Sequence, residues 1–588
     1  MSRFCLTLTA GLSITLAAAC SQSNEPDIAS PSSGATAPAP KAELEEDASA
    51  IVVTGQRMPR PVMDAPVAIS VVGSEYIASA PPPPQARQMV VTGSAIRGPH
   101  PDRMTPWYQD IGRDKFTSTP ENAFRIALDE PVSTFSIDVD TASYSFVRAS
   151  LNGNALPQPA AVRTEEMINY FPYDYASPRT AQQPFSSNVA VFPSPFTAGR
   201  KLVRIGIKGY EIERATRPHA NLVFLIDTSG SMNAPNKLPL VKKSLGLLLD
   251  QLDRNDSVSI VTYAGSAGTA LEPTAASQKE RILAVIDQLG AGGSTAGAEG
   301  IRQAYALAER NRDPNGVNRV ILATDGDFNV GITDREELKG YVERERGKGI
   351  FLSVLGFGMG NYNDALMQTL AQNGNGAAAY IDTLGEARKT LVDEATSTLF
   401  PIAKDVKIQV EFNPAIVAEY RLIGYETRML NRDDFDNDRV DAGDVGSGQT
   451  VTALYEIVPV GGPRTMVDLR YSKPAPRPAA VASSEYGFVK IRYKLPKSDR
   501  SQLISTPIDR RAEVARFADA PQDARFATGV AAFAELLRGG RYTGSLTYDD
   551  VLQIVGAARG TDDFGYRMEL VQMVRAAKTA GSMARLDR

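Results

Sequence analysis

Asp227-Thr228-Ser229-Gly230-Ser231 places three oxygen-bearing side chains at alternate positions. In an extended turn alternate residues point the same way, so Asp227, Ser229 and Ser231 can aim at one point. Two further oxygen donors stand downstream: Thr295 in Gly292-Gly293-Ser294-Thr295-Ala296-Gly297, and Asp325 in Thr324-Asp325-Gly326-Asp327. A donor set of carboxylates and hydroxyls suits a hard divalent cation, Mg²⁺ first, with Mn²⁺ or Ca²⁺ as alternatives. Hydroxyl ligands add no charge. The cation then stays electrophilic and keeps an open coordination position.

The elements that must bring these residues together are legible around them. Leu222–Ile226 is an apolar run that ends at Asp227, and Val320–Ala323 is another that ends just before Asp325. Strands are also expected at Ser257–Tyr263, Phe351–Leu355 and Ala377–Ile381. Between them, helices are expected over Leu238–Leu252, Gln278–Leu289, Ala298–Arg310, Glu336–Arg346, Ala365–Gln372 and Leu384–Leu399. Apolar strands alternating with amphipathic helices predict a doubly wound, Rossmann-like parallel sheet covered on both faces. Such sheets bind ligands beyond the carboxyl ends of their strands. The oxygen donors fall at those ends.

This constellation resembles the metal-ion-dependent adhesion site of the von Willebrand factor type A (VWA) domain. Asp227, Ser229 and Ser231 match its Asp-x-Ser-x-Ser triplet, Thr295 its distant threonine and Asp325 its later aspartate. The resemblance implies that Ser229 and Ser231 bind the metal directly. It implies that Thr295, Asp227 and Asp325 act directly or through water and hydrogen bonds. It also implies a binding module rather than an enzyme.

Competing chemistries have weaker footing. Phe135-Ser136-Ile137-Asp138-Val139-Asp140-Thr141 resembles the nucleophile motif of haloacid-dehalogenase phosphatases, which would make Asp138 and Asp140 a catalytic pair in an envelope hydrolase. No evident βαβ series surrounds it and no adjacent His or Lys offers a general base. A strand followed by a helix capped by Thr141 or Asp140 is the preferred reading. The acidic cluster Asp433, Asp434, Asp436, Asp438, Asp441 and Asp444 starts like a calcium loop. It lacks glycine at the sixth position, where Arg439 sits, and glutamate at the twelfth, where Val445 sits, so a solvated turn is expected.

Composition removes more. Across 588 residues there are two cysteines, Cys5 and Cys20, and two histidines, His100 and His219. The body of the chain therefore has no disulfide framework, no cysteine nucleophile and too few ligands for a Cys/His zinc site. A net charge of −5 gives no footing for nucleic acid. No small-molecule substrate is expected.

The first residues read as an export signal: Arg3, an apolar run from Phe4 to Ala19, then Cys20. Ala17-Ala18-Ala19-Cys20 resembles the lipidation box of bacterial lipoproteins, with Ala17 where leucine is usual. The resemblance makes Cys20 the lipid carrier. With Ser21 after it, the sorting habit implied is the outer membrane, facing the periplasm. Residues 21–118, rich in Pro, Ala and Ser, are expected to form a disordered tether. Within it, Ile51-Val52-Val53-Thr54-Gly55 and Met89-Val90-Val91-Thr92-Gly93 resemble the plug opening of TonB-dependent receptors.

The flanks of the α/β stretch read differently. Val189–Phe192 and Leu202–Lys208 upstream read as strands. So do Val406–Phe412, Glu419–Gly424, Thr450–Ile457, Thr465–Tyr471 and Gly487–Tyr493 downstream. We expect one β-sandwich built from both flanks with the VWA domain inserted. Helical periodicity follows at Phe526–Leu537, Tyr548–Arg559 and Asp563–Ala577. The expected organisation is a signal peptide (1–20), tether (21–118), small α+β region (119–216), VWA domain (217–400), β-sandwich (401–500) and helical region (501–588). Residues 119–580 resemble a group of exported bacterial proteins that carry such flanks. The expected function is a lipid-anchored adhesion or scaffolding protein. The alternatives are the hydrolase and an assembly factor whose metal site is vestigial.

Overall fold

The computed structural model describes residues 116–137, 140–294, 297–326, 335–358, 363–440, 442–466 and 485–586. In chain order, β1 (Arg125–Ile126) and β2 (Val132–Ser136) precede helices α1 (Ala142–Asn152) and α2 (Thr164–Asn169) and the hairpin β3 (Phe185–Pro193)–β4 (Lys201–Gly209). An α/β module follows: β5 (Ala220–Asp227), α3 (Leu238–Leu249), β6 (Ser257–Tyr263), β7 (Ala267–Ala275), α4 (Lys279–Gln288), α5 (Gly297–Arg310) and β8 (Val317–Thr324). It continues through α6 (Arg335–Gly347), β9 (Ile350–Phe357), α7 (Asp364–Asn373), β10 (Ala378–Ile381), α8 (Leu384–Arg388) and α9 (Ala395–Leu399). The chain leaves through β11 (Pro401–Phe412), β12 (Val417–Ile423), β13 (Met429–Leu430), β14 (Gly443–Gly446), β15 (Thr450–Pro459), β16 (Glu485–Lys494) and β17 (Ser501–Asp509). It ends in α10 (Gln522–Arg538), α11 (Tyr548–Ala557) and α12 (Tyr566–Leu586).

The α/β module has sheet order β10-β9-β8-β5-β6-β7. The first five strands are parallel, and β7 runs antiparallel at the edge. The central strands β5 and β8 are buried along their whole length because helices cover both faces. Leu222, Phe224 and Ile226 point into one core with α3, while Val223 and Leu225 point into the other with α5. This is the doubly wound fold. The antiparallel β7 corrects an all-parallel expectation. Only three residues link it to β6, too few for a crossover, and a hairpin is the available solution. The Leu384–Leu399 helix is also interrupted, by a π-helical turn over Lys389–Asp393. Lys389 turns inward there, pairing with Glu394 and standing 4.3 Å over the Tyr170 ring.

Both flanks contribute to each sheet of a sandwich. One sheet runs β1-β12-β15-β4-β3; the other runs β13-β2-β11-β16-β17, with β14 on β11. β4 pairs with β15 from Lys201↔Ile457 to Thr450↔Lys208, and β2 pairs with β11. The α/β module is thus inserted between two halves of one sandwich. β17 extends the sandwich past residue 500, to Asp509. Residues 119–216 are shared out rather than compact on their own. Their strands enter the sandwich, whereas Tyr144, Val147, Met167 and Ile168 of α1 and α2 share a core with Phe526, Val530 and Val574 of α10 and α12. The strand expected over Thr465–Tyr471 lies mostly outside the described residues. The signal, Cys5, Cys20, the two TonB-like islands and the expected tether up to residue 115 lie outside them. The last residues of that tether, 116–118, are described, and Phe116 packs edge-on against Phe146 with ring centres 4.5 Å apart. No helix among the described residues is long and apolar enough to cross a membrane.

Buried ion pairs stitch the modules together. Arg148 of α1 binds Asp382, Glu386 at 2.8 Å and Glu569 at 2.9 Å, joining the α/β module to α12. Arg163 reaches Asp364 at 2.7 Å, and Arg421 reaches Glu535 at 3.1 Å. Removing one partner of such a pair strands the other charge in the interior, at about 3–5 kcal/mol.

Candidate metal centre

β5 delivers Asp227 to the carboxyl edge of the sheet, and the backbone then turns outward. Asp227 is fully buried and held on both oxygens. Its Oδ1 accepts from the Ser229 N–H at 2.9 Å; its Oδ2 accepts from the Tyr263 hydroxyl at 3.2 Å and the Thr324 hydroxyl at 3.3 Å. Tyr263 ends β6 in register with Asp227, and Thr324 ends β8, so both hydroxyls come from adjacent strand ends, while Ser229 belongs to the turn that follows β5. Burial raises the Asp227 carboxyl above the usual range, with Asp325 adding to the rise and the Ser229 hydrogen bonds opposing it. Two acidic groups in a dry edge call for positive charge.

The hydroxyls converge as expected. Ser229 Oγ and Ser231 Oγ stand 3.0 Å apart. Adjacent ligands of an octahedral ion with metal–oxygen distances near 2.1 Å lie about 3.0 Å apart, so the pair already has the spacing of two neighbouring Mg²⁺ ligands. The loop that carries Thr295 docks on the same turn. Gly292 N–H donates to Thr228 O at 2.8 Å, and Gly230 N–H donates to Gly293 O at 3.1 Å. Thr295 itself lies outside the described residues. The oxygen-only donor set and its spacing fit a hard divalent cation.

Lys237 was not foreseen. Its Nζ donates to Asp325 Oδ2 at 2.8 Å, and both side chains are buried. Its stem lies against Gly358, which has φ +78°; a Cβ there would meet Lys237 Cε at 2.4 Å. The ammonium sits one residue before α3, in a slot that only a glycine leaves open. Nothing in the local sequence marks it, because the pairing spans 88 positions and depends on strand order. Tyr263 and Thr324 escaped notice for the same reason.

The other candidates separate from this edge. Asp140 is not the N-cap of α1, which is Thr141. Its Oδ1 accepts from Ala378 N–H at 2.7 Å and its Oδ2 from Arg428 at 2.7 Å, so it latches α1 to β10 and the sandwich. Thr141 stands at the N-cap of α1 without a side-chain cap bond; Glu166 takes the Ser143 N–H instead. Asp138 lies outside the described residues. In the acidic cluster, Asp434 closes a capping box with Asn431 while Asp436 and Asp438 bind Arg492, so they point to different partners. Among the described residues no three Asp, Glu, His or Cys side chains gather as a metal cluster.

A doubly wound sheet with oxygen donors at this edge defines a VWA domain, and the model of the von Willebrand factor type A domain family matches residues 221–394. A model described as von Willebrand factor matches residues 110–204, and one described as the C-terminal part of the uncharacterised protein YfbK matches residues 397–580. The chain belongs to the YfbK family. It is 41% identical over 473 residues to YfbK of Escherichia coli K12, covering 79% of this chain and 81% of that protein. Among solved structures it is similar to a von Willebrand factor type A protein from Catenulispora acidiphila, at 15% identity and TM-score 0.39, covering 69% and 91% of the two chains. It is also similar to proximal thread matrix protein 1 of the mussel byssus, solved with a zinc-occupied MIDAS motif, at 22% identity and TM-score 0.26 over 30% of this chain and 45% of that one.

Proposed function

We propose that this chain binds an acidic protein partner through a divalent cation, Mg²⁺ in the first instance. Ser229 and Ser231 are its direct ligands, with Thr295, Asp227 and Asp325 direct or one water removed. VWA domains serve as protein-interaction modules, and that class supports a binding rather than a catalytic role. The observation that carries the reading is the 3.0 Å hydroxyl pair beside the buried Asp227. When bound, the cation supplies a Lewis-acidic position for a carboxylate of the partner. The chain's own residues orient the ligands, and the Tyr263 and Thr324 hydroxyls fix the Asp227 carboxylate. We further propose that Cys20 carries lipid and holds the protein on the periplasmic face of the outer membrane.

Mn²⁺ titration of the full chain, followed by capture on an acidic-peptide matrix, tests the site. Binding should vanish with EDTA, with Asp227→Ala and with the double change Ser229→Ala/Ser231→Ala. Capture that survives all three defeats the adhesion reading. For the anchor, Cys20→Ala should move the protein from the membrane to the soluble envelope fraction.

One observation favours a second reading. The Lys237 ammonium already neutralises Asp325, as it would in an assembly factor whose metal site is vestigial. In that case wild type binds no Mn²⁺ and Ser229→Ala/Ser231→Ala leaves capture of the partner intact.

A further inference from the structure

A second buried charge lies on β8, near the end opposite Asp325. Arg319 is 3% exposed and shares the sheet face of Ile321 and Ala323. Its Nη1 donates to Ser353 Oγ at 2.7 Å, and its guanidinium carbon lies 5.6 Å from the Phe351 ring centre. Its Nε has no partner. No acidic side chain among the described residues pairs with it; Asp444 acts on it only through space. Burial pulls this guanidinium down to about 10, a mark of how poorly its charge is compensated.

Arg204 is likewise buried without a carboxylate among the described residues, but its Nη2 donates to Asn188 Oδ1 at 2.8 Å, its guanidinium lies on the Tyr175 ring, and it does not line the cavity described below. Other arginines of the interior are paired. Arg148, Arg163, Arg421 and Arg428 each hold a carboxylate. An uncompensated guanidinium costs several kcal/mol to desolvate. Arg319 also faces open space. It lines a cavity of about 610 Å³ where the VWA sheet meets the returning chain, together with Ser353, Ile321, Leu355, Leu399 and Asp444. One wall is close-packed: a Cβ on Gly446 would overlap Ser397 O at 1.6 Å.

We infer that this cavity is a binding site for a small molecule bearing a carboxylate or phosphate group, with Arg319 as its anchor. The guanidinium fork matches two oxygens of either anion. The Ser353 hydroxyl accepts from Arg319, so its own hydrogen is available to the same anion. Ile321, Leu355 and Leu399 offer an apolar wall for a short carbon body. Asp444, Glu211, Glu343, Asp393 and Glu394 also line the cavity and oppose excess negative charge, which favours small, singly charged ligands held close to Arg319. This site is independent of the metal edge, and the low cysteine count and weak net charge of the sequence give no hint of it.

Calorimetric titration and thermal unfolding of the full chain test it, with sodium phosphate and sodium butyrate as probes and sodium chloride at matched ionic strength as reference. One or both probes should bind and raise Tm above the chloride reference. A response to phosphate alone points to free phosphate or a phosphate ester, and a response to butyrate alone to a carboxylic acid; either supports the site. Arg319→Met should weaken binding about tenfold or more. Ser353→Ala should weaken it several-fold, and it keeps the test available if Arg319→Met fails to fold. Wild type that responds to neither probe beyond chloride, or variants that respond as wild type does, overturn the inference.

Discussion

Strand β8 has a buried charge near each end, and the two are treated in opposite ways. Asp325, just past the carboxyl end, meets the Lys237 ammonium at 2.8 Å. Arg319, near the amino end, meets a hydroxyl and an aromatic ring but no carboxylate. Among the described residues the formal charges at this edge are −1 for Asp227, −1 for Asp325 and +1 for Lys237. These three sum to −1, and a divalent cation takes them to +1. A site with that sum binds its cation less tightly than two bare carboxylates would, and the bound cation keeps more of its pull on an anionic ligand. The edge is pre-balanced, and the base is not. The same interior makes both charges costly, so one end has its counter-charge built in and the other is suited to receive one.

The largest effect should come from breaking the balanced end. Asp325→Ala leaves the Lys237 ammonium buried without its carboxylate, and the folded state should lose about 3–5 kcal/mol. The midpoint of denaturant unfolding reads this. Adding Lys237→Met to the same chain should recover most of the loss, because the cycle isolates the pair. A cost under about 1 kcal/mol for Asp325→Ala would mean that the pair contributes no more than a surface salt bridge.

The unbalanced end should respond with the opposite sign. Arg319→Met removes an uncompensated charge and keeps an apolar stem, so in anion-free buffer it should stabilise the protein by about 1–3 kcal/mol. A loss of stability would mean that the guanidinium has a counter-charge in solution.

Lys237 alone sharpens the comparison at the metal edge. Lys237→Met takes the site from −1 toward −2, and Mn²⁺ affinity should rise about tenfold, or 1.4 kcal/mol. The loaded site should then hold an acidic peptide more weakly than wild type does. Unchanged Mn²⁺ affinity would show that Lys237 props Asp325 sterically and contributes no field.

These two ends also show where reading the sequence succeeds. The clustering of Asp227, Ser229 and Ser231 at one sheet edge was legible because they are local and follow a buried strand, a pattern carried by period and by strand-end position. The insertion of the VWA domain in the sandwich was legible because strand-like runs flank it on both sides. What was not legible depends on pairing at long range. Lys237 reaches Asp325 only once β5 and β8 are neighbours. Arg319 reads as one polar residue at the start of an apolar run, and nothing local says that it faces a cavity. β7 was missed because Ala267–Ala275 has few apolar residues and sits half exposed at the sheet edge. Asp140 was read as a local cap because its true partners, Ala378 and Arg428, lie 238 and 288 residues away.

The smallest expected effect is a pH dependence that belongs to the unbalanced end alone. Burial holds the Arg319 guanidinium at about 10 in the folded state, well below its ordinary value. Below about pH 10 both folded and unfolded chains hold this proton, so the penalty is constant. From about pH 10 up to the ordinary guanidinium value the unfolded chain holds more protons than the folded one, so stability rises with pH. The folded chain sheds the costly charge over that window. Wild type should therefore regain on the order of 1 kcal/mol relative to Arg319→Met between about pH 9 and pH 10.5. Subtracting the variant's pH profile removes the titration of the chain's lysines and tyrosines, which both proteins share. In saturating phosphate or butyrate the gain should disappear, because the bound anion holds the proton on the guanidinium. A difference profile that stays flat without anion would mean that the guanidinium is hydrated well enough to keep its ordinary basicity, and the contrast between the two ends of β8 would then be one of geometry without a difference in energy.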